Sequence, residues 1–297
     1  PWQLYEKVFH GLFKTVAAKA VGKKKFRFKN KLVSLDSTVI DLCLSMYDWA
    51  KFRRTKGAVK LHLVLDHDGY LPCFGIITDG KVADVKAAHQ MHFASGTIVV
   101  DDRGYNDYRL FAKWTDAGVY FVTRMKDNAL YEVVEEHETP KNRNILRDQT
   151  IRLTGTGAQD KCPHLLRRIE AVREDTGDIL VFITNHHDLG ASTIAAIYKD
   201  RWQIELFFKA LKQNLKIKTF VGTSANAVKT QIWTALISML LLRYLQLSSR
   251  FVWSLSNLVA LLRMCLFTHR DLMHWLDHPF SPPPEPDEHP QATLAFA

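Results

Sequence analysis

The stretch STIAAIYKDRWQIELFFKALKQNLKIKTF, from Ser192 to Phe220, decides how the rest of the chain is interpreted. Ser192 is a residue type that caps helix N-termini, and no Pro or Gly interrupts the stretch before Gly222. The sequence therefore predicts a single helix of several turns. Isoleucine and leucine positions along it supply the apolar surface that such a helix needs for packing.

One face of this predicted helix carries four polar side chains. They are Tyr198, Arg201, Glu205 and Lys212. At about 100° per residue, these positions fall within an arc of roughly 60°. Trp202 lies at the edge of the face, and Lys209 adds a further positive charge. A solvated helix with ion pairs is the ordinary explanation of such a pattern. A single carboxylate among several cations makes this explanation less favoured here.

Two predicted strands upstream carry aspartates in unusual places. Leu32 to Cys43 is predicted as a buried strand, yet Asp36 stands near its middle. A carboxylate in an apolar strand is costly unless it is paired or binds a cation. Gly96 to Val100 is a short apolar strand that ends in Asp101 and Asp102. Ligand sites of α/β sheets lie at such strand ends, although a helix cap or a turn is the commoner reason for acids there.

Three motifs in this order resemble those of DDE transposases of bacterial insertion sequences, family four, the YREK subgroup. They are LDST at Leu35–Thr38, DRGY at Asp102–Tyr105 and Y-x2-R-x3-E-x6-K at Tyr198–Lys212. Together with WAKFRRTKGAVKLH at Trp49–His62, they extend the resemblance over most of residues 30–245.

The resemblance implies a catalytic site and a reaction. Asp36, Asp102 and Glu205 would hold two Mg²⁺ ions, or Mn²⁺, since carboxylate oxygens suit both metals. The reaction would be metal-dependent cleavage of DNA at the ends of the element, followed by strand transfer into target DNA. Asp101 remains an alternative to Asp102, because adjacent residues of a strand point to opposite faces.

Double-stranded DNA, as transposon ends and target, is the implied partner. The side chains expected to contact it on the central helix are Tyr198, Arg201, Trp202, Lys209 and Lys212. Trp202 could stack on a flipped base or pack within the protein. Arg53, Arg54 and Lys56 form a basic rim on the predicted loop from Trp49 to Lys60. The net charge of +9 and the pI of about 9.3 favour a polyanionic partner.

The predicted elements follow the order three strands, helix, strand, helix, strand, which is that of an RNase H-like fold. We therefore expect an α/β fold with a mixed sheet flanked by helices, and the resemblance makes the first and fourth strands neighbours. Five segments are predicted in chain order. They are an N-terminal helix with a basic linker (1–30), the first part of the core (31–124), a β-rich insertion (125–190), the catalytic helix with C-terminal helices (191–278) and a disordered Pro-rich tail (279–297).

The remaining features point to a protein of a reducing compartment. Four cysteines without a CxxC pair predict free thiols, and His67 and Asp68 are predicted as turn residues. The apolar run Ile232–Leu242 is too short for a membrane span. We expect a cytoplasmic, nucleoid-associated chain that forms a dimer on DNA. The alternatives are an RNase H-like nuclease, an inactive truncated transposase that binds DNA without strand transfer, and a basic DNA-binding protein whose acids are structural.

Overall fold

The computed structural model describes residues 1–22, 24–43, 47, 49–53, 56–140, 144–215 and 220–280. The helices are α1 (Trp2–Ala20), α2 (Asp84–Gln90), α3 (Tyr108–Asp116), α4 (Ala158–Lys161), α5 (Ala191–Asp200), α6 (Trp202–Asn214), α7 (Ala225–Ser248), α8 (Leu255–Met264) and α9 (Leu272–Asp277). The strands are β1 (Leu32–Leu42), β2 (Lys51–Arg53), β3 (Lys56–Asp66), β4 (Leu71–Asp79), β5 (Ile98–Val100), β6 (Tyr120–Arg124), β7 (Tyr131–Glu136), β8 (Ile145–Leu153), β9 (Leu166–Val172) and β10 (Ile179–Thr184).

The described strands form one sheet of ten, in the order β2-β3-β1-β5-β6-β10-β9-β8-β7, with β4 also paired to β3. β1, β5 and β6 run parallel, whereas β3 is antiparallel to β1 and to β4. From β4 through β3, β1 and β5 to β6, this is the RNase H-like arrangement, and the predicted fold class is confirmed. The predicted neighbours β1 and β5 pair with Ser34 opposite Val100.

The sheet continues beyond this core through four antiparallel strands. β10 pairs with β6, and β9, β8 and β7 follow in turn. These strands correspond to the four short strands predicted within residues 125–190, and they extend the same sheet. The division of the chain into five segments stays a prediction, and residues 281–297 of the predicted tail lie outside the described residues.

Both faces of the central strands are buried, which explains their continuous apolar sequence. In β5, Val99 packs with α2 and α3 on one face, whereas Ile98 and Val100 pack with α5 on the other. A third apolar cluster joins α1, α6 and α7 to β1, β3 and β4. Among the described residues, α7 is the one helix long and apolar enough to cross a membrane by length and composition, but it packs here as a core helix.

Two predictions of local structure are wrong. The single helix from Ser192 is two helices, α5 and α6, which meet at Arg201, and Gly190 rather than Ser192 occupies the N-cap. Around the junction, the Arg201 N–H donates to the Tyr198 carbonyl at 3.2 Å, which tightens the helix to a three-residue turn. Neither Gly nor Pro occurs at this break. The two residues at the junction instead contact side chains of other elements, Asp200 with His67 and Arg201 with Asp36.

The predicted basic loop from Trp49 to Lys60 is largely a short hairpin. β2 pairs with the beginning of β3, so that Arg53 lies opposite Lys56. This turn-and-strand pairing is absent from the prediction because the hairpin contains neither Asn-Gly nor Asp-Gly at its tip. Arg54 and the side chains of Arg53 and Lys56 lie outside what the structure describes, so the basic rim stays a prediction.

Candidate active site

Asp36 lies within β1 and faces partly into solvent. Its pair across the sheet is Leu63 of β3, and the Ser37 N–H donates to Asp36 Oδ1 at 2.7 Å. Burial raises the pKa of Asp36 to about 6, opposed by that hydrogen bond and by the positive charge of Arg201. The negative charges of Asp102 and Glu205 raise the pKa of Asp36 further, so these three carboxylates interact with one another.

Asp102 follows β5 and begins a short 3₁₀ turn over Arg103–Tyr105. Its Oδ1 accepts a hydrogen bond from the Gly104 N–H at 2.8 Å. A Cβ atom at position 104 would lie 2.9 Å from the same oxygen, so glycine allows this turn of the DRGY motif to close. Ser34 lies opposite Val100, and Asp36 and Asp102 each come two residues later. Because side chains alternate along a strand, both acids lie on the same face of the sheet.

Asp101 has a different environment from its neighbour. The side chain is fully buried, and neither carboxylate oxygen has a hydrogen-bond partner among the described residues. The nearby Thr123 hydroxyl donates to the Asp102 carbonyl at 3.0 Å. Burial raises the pKa of Asp101 well above its ordinary value. Asp101 is enclosed, and by strand alternation it lies on the other face of the sheet from Asp36. It is therefore a poorer candidate than Asp102 for a shared site with Asp36.

Arg201 connects the two outer acids of the predicted site. Its guanidinium donates to Asp36 Oδ2 at 3.3 Å and to Glu205 Oε1 at 2.6 Å. The same guanidinium carbon lies 5.5 Å from the centre of the Tyr198 ring, which itself packs on Phe182. The Arg201 Nε atom is buried without a partner in the described part of the chain. Three of the four side chains predicted on one face therefore meet at the α5–α6 junction.

The other predicted DNA contacts lie along α6. Trp202 is 55% exposed, the largest exposure of any tryptophan in the described residues. Lys209 is also exposed, and Lys212 is half-buried in the last turn of the helix. These positions form an outward surface that begins beside Arg201.

The carboxylates of Asp36, Asp102 and Glu205 are chemically suited to a divalent cation, but they would have to move closer together to hold one. Carboxylate oxygens are the ligands that Mg²⁺ prefers, and a cation would offset both the burial and the neighbouring negative charges that raise the pKa of Asp36. Among the described residues, however, no three acidic, His or Cys side chains are grouped closely enough to hold one ion. Arg201 lies between Asp36 and Glu205 and supplies the positive charge there.

A buried network that the sequence analysis missed adjoins this junction. Asp200 accepts hydrogen bonds from Lys25 Nζ at 2.5 Å, from His67 Nδ1 at 2.7 Å and from the Tyr70 hydroxyl at 3.1 Å. The other His67 ring nitrogen contacts Ser34 Oγ at 2.7 Å. Against the effect of burial, the hydrogen bonds from His67 and Lys25 lower the pKa of Asp200.

His67 lies in the turn after β3, as predicted, and the network gives it a further role. It is buried and joins β1 to the end of α5. The sequence carried no signal of this role, because the predicted single helix places Asp200 in a helix interior and the helix end at Asp200 is visible only in the structure.

Comparison with known proteins identifies the class to which this fold and site belong. Residues 27–241 match the family model described as the transposase DDE domain. Because the match spans most of the chain, the chain belongs to the DDE transposase family. Members of this family generally use divalent metal ions.

Its relatives place the chain among transposases of insertion sequences. The protein y4zB of Sinorhizobium fredii, named as a transposase, is 36% identical over 80% of this chain and 67% of its own length. A protein of Geobacillus stearothermophilus, named for insertion sequence element IS5377, is 29% identical over 75% of this chain and 59% of its own length. Membership of family four and its YREK subgroup stays a prediction.

A solved structure also aligns with most of the chain. The cryo-EM structure of the piggyBac transposase synaptic complex with hairpin DNA gives a TM-score of 0.45 at 10% identity, over 86% of this chain and 55% of that one.

Proposed function

We propose that the chain cleaves DNA at the ends of an insertion sequence and transfers the freed strand into target DNA, with Asp36, Asp102 and Glu205 as catalytic residues. The observation that carries this proposal is the contact of one arginine, Arg201, with both Asp36 and Glu205. It brings a strand residue and a helix residue 169 positions apart into one site, beside the strand that Asp102 follows, in a member of the transposase family.

Asp36, Asp102 and Glu205 would hold two Mg²⁺ ions, with Mn²⁺ as a substitute. When bound, such ions activate water as a nucleophile and stabilise the leaving oxygen of a phosphodiester. The chain's own residues supply the rest of the site. Partial burial of Asp36 limits the access of water to its carboxylate, and the 3₁₀ turn fixes the orientation of the Asp102 carboxylate through the Gly104 N–H.

Arg201, Lys212 and Tyr198 would bind the DNA backbone beside the reacting phosphate. A guanidinium can donate two parallel hydrogen bonds to one phosphate, which makes Arg201 a suitable clamp once it leaves a carboxylate. Trp202 and Lys209 extend the same exposed surface along α6. A dimer on double-stranded DNA, in the cytoplasm at the nucleoid, completes the proposal.

The test is a titration of DNA cleavage with Mg²⁺ for wild type, Glu205→Gln, Lys212→Ala and Arg201→Ala, with DNA affinity measured in Ca²⁺. Glu205→Gln should impair metal use while DNA binding persists. Lys212→Ala and Arg201→Ala should weaken productive DNA binding. An equal shift in metal requirement for Lys212→Ala and Glu205→Asp would refute this division of roles.

Two further measurements separate the proposed reaction from its rivals. Asp102→Ala should abolish nicking, and robust nicking by that variant would transfer the role to Asp101. Joined products distinguish a transposase from a nuclease that only cuts. DNA affinity should also fall steeply with salt, with a log–log slope of roughly −0.9 for each phosphate neutralised.

A further inference from the structure

A cavity of about 520 Å³ lies on the opposite face of the sheet from the Arg201 junction. It opens between the start of α3 and the segment that follows β6. Its volume is within the range of roughly 300–1,000 Å³ that is usual for small-ligand sites. None of the residues in the proposed catalytic site lines it.

The charged groups of this cavity are mostly positive. Its cations are Arg109, Lys126 and Lys161. Arg109 and Lys161 form no hydrogen bond or ion pair with any residue that the structure describes, and Lys126 donates only to the Asn106 carbonyl, at 3.1 Å. The single carboxylate in the lining, Asp107, already caps α3 through the Leu110 N–H at 2.9 Å. Three cations around one concave surface attract an anion.

Met125, Leu153 and Ile183 are buried beneath the cavity and present little surface to it, and the half-buried ring of Tyr108 and the amide of Asn128 stand at its wall. A simple inorganic anion would use the cations alone. A ligand with a phosphate, a sugar and a flat base would use the cations, the amide and the Tyr108 ring together.

The cavity is linked to the turn that carries Asp102. Arg103, the next residue, forms an ion pair with Asp127 at 2.6 Å, and Asp127 lies between two residues of the cavity wall. Both features follow the carboxyl ends of neighbouring parallel strands, β5 and β6, where α/β sheets bind ligands. A strand that passes Asp102 can therefore continue over the sheet edge towards the cavity.

We propose that this cavity binds one nucleotide of a DNA strand that passes Asp102, with its phosphate among Arg109, Lys126 and Lys161. The inference rests on the proposed function, which makes DNA the substrate. It adds a second contact point for the strand, outside the catalytic junction and on the other face of the sheet.

Lysine footprinting tests the site on the unmodified chain. DNA should protect Lys126 and Lys161 from acetylation several-fold, as measured by mass spectrometry, whereas Lys7 and Lys14 on α1 should keep their reactivity. Equal acetylation of Lys126 and Lys161 with and without DNA, at saturating DNA, would overturn the proposal. So would equal protection by inorganic phosphate at the same total phosphate concentration, because a free anion would then account for the site.

A double substitution, Arg109→Ala with Lys161→Ala, gives an independent measurement. Both side chains are exposed, and the double variant should bind DNA about tenfold more weakly, with a salt slope reduced by about 1 per lost contact. Lys7→Ala with Lys14→Ala removes the same charge and should change neither quantity as much. Equal effects of the two double variants would refute the site. Failure of wild type to bind DNA would instead refute the proposed function.

Discussion

Two largely buried arginines, Arg167 on β9 and Arg201 at the α5–α6 junction, differ in how fully they are paired. Arg167 of β9 donates to both oxygens of Asp148, at 2.8 and 2.7 Å, and to the carbonyls of His186, His187 and Leu189. Arg201 donates to one oxygen each of Asp36 and Glu205, and its Nε has no partner in the described structure. Their side chains are similarly buried, at 8% and 13% exposure.

The difference separates a structural ion pair from a site with unused capacity. Arg167 donates to one carboxylate and to the carbonyls of the segment between β10 and α5, so it fixes that segment. Arg201 shares one positive charge between Asp36 and Glu205, and burial, together with the negative charges of Asp102 and Glu205, raises the pKa of Asp36. A group held this incompletely can exchange a partner for a phosphate or yield its place to a cation.

The largest effect is expected on the structural side. Arg167→Ala should lower the free energy of unfolding by about 3–5 kcal/mol, because it leaves the Asp148 carboxylate buried without its counter-charge. Urea denaturation at pH 7.5 measures this loss. Arg173→Ala, which breaks the exposed pair with Asp175, is the matched control and should leave the free energy of unfolding nearly unchanged. Similar losses for both variants would contradict the comparison.

The next effect has the opposite sign. Asp36 has a folded-state pKa of about 6, above its unfolded value, so folding favours the protonated form. Wild type should therefore lose stability as the pH rises from about 4 through 6. Asp36→Asn lacks this loss and should be more stable by about 2 kcal/mol at pH 8, with no difference below about pH 4. Denaturation across this range in EDTA tests it, and a gain independent of pH would rule it out.

Arg201→Met should cost less than Arg167→Ala, about 1 kcal/mol at pH 7.5. Asp36 and Glu205 both retain some contact with solvent, at 16% and 34% side-chain exposure, and can bind water or a proton when the guanidinium is lost. The part of the cost that arises from Asp36 should shrink near pH 5, where Asp36 is protonated, while the lost contact with Glu205 remains. Unfolding measured at the two pH values provides the check. A loss as large as that of Arg167→Ala at both would remove the distinction between the two arginines.

The smallest effect is expected at Asp101. Burial raises its pKa well above the ordinary value, so folding favours the neutral acid, which resembles an amide in charge and size. Asp101→Asn should change the stability by about 0.5 kcal/mol or less at pH 5. It should also leave DNA nicking intact, in contrast to Asp102→Asn. Loss of nicking in both variants would show that the turn, rather than one carboxylate, is required.

Much of the sheet was predictable because its strands carry local signals. The apolar run of β5 and the alternation in β3 predict strands directly, and the four strands of residues 131–184 are separated by polar turns. The parallel pairing of β1 with β5 came from the family resemblance. No local pattern states which strands are neighbours.

The residues of the candidate site were proposed from sequence motifs, and only one of the contacts among them follows from the sequence. Helical spacing places Arg201 one turn from Glu205, and the salt bridge between them follows from it. The contact between Arg201 and Asp36 crosses 165 positions. The helix break at Arg201 and the burial of His67 depend on such distant partners, so the local sequence carries no signal of them.

The Asp200 network also bears on the order in which the chain acquires its site. Its partners are distant in sequence, since His67 lies 133 positions before Asp200 and Lys25 lies 175 before it. During synthesis, Ser34 and His67 emerge long before the carboxylate that joins them to the catalytic helices. Loop closure over such separations is slow compared with local helix formation. We therefore expect the acids of the site to come together late in folding, because an incomplete chain carries Asp36 without the helix junction that positions Glu205.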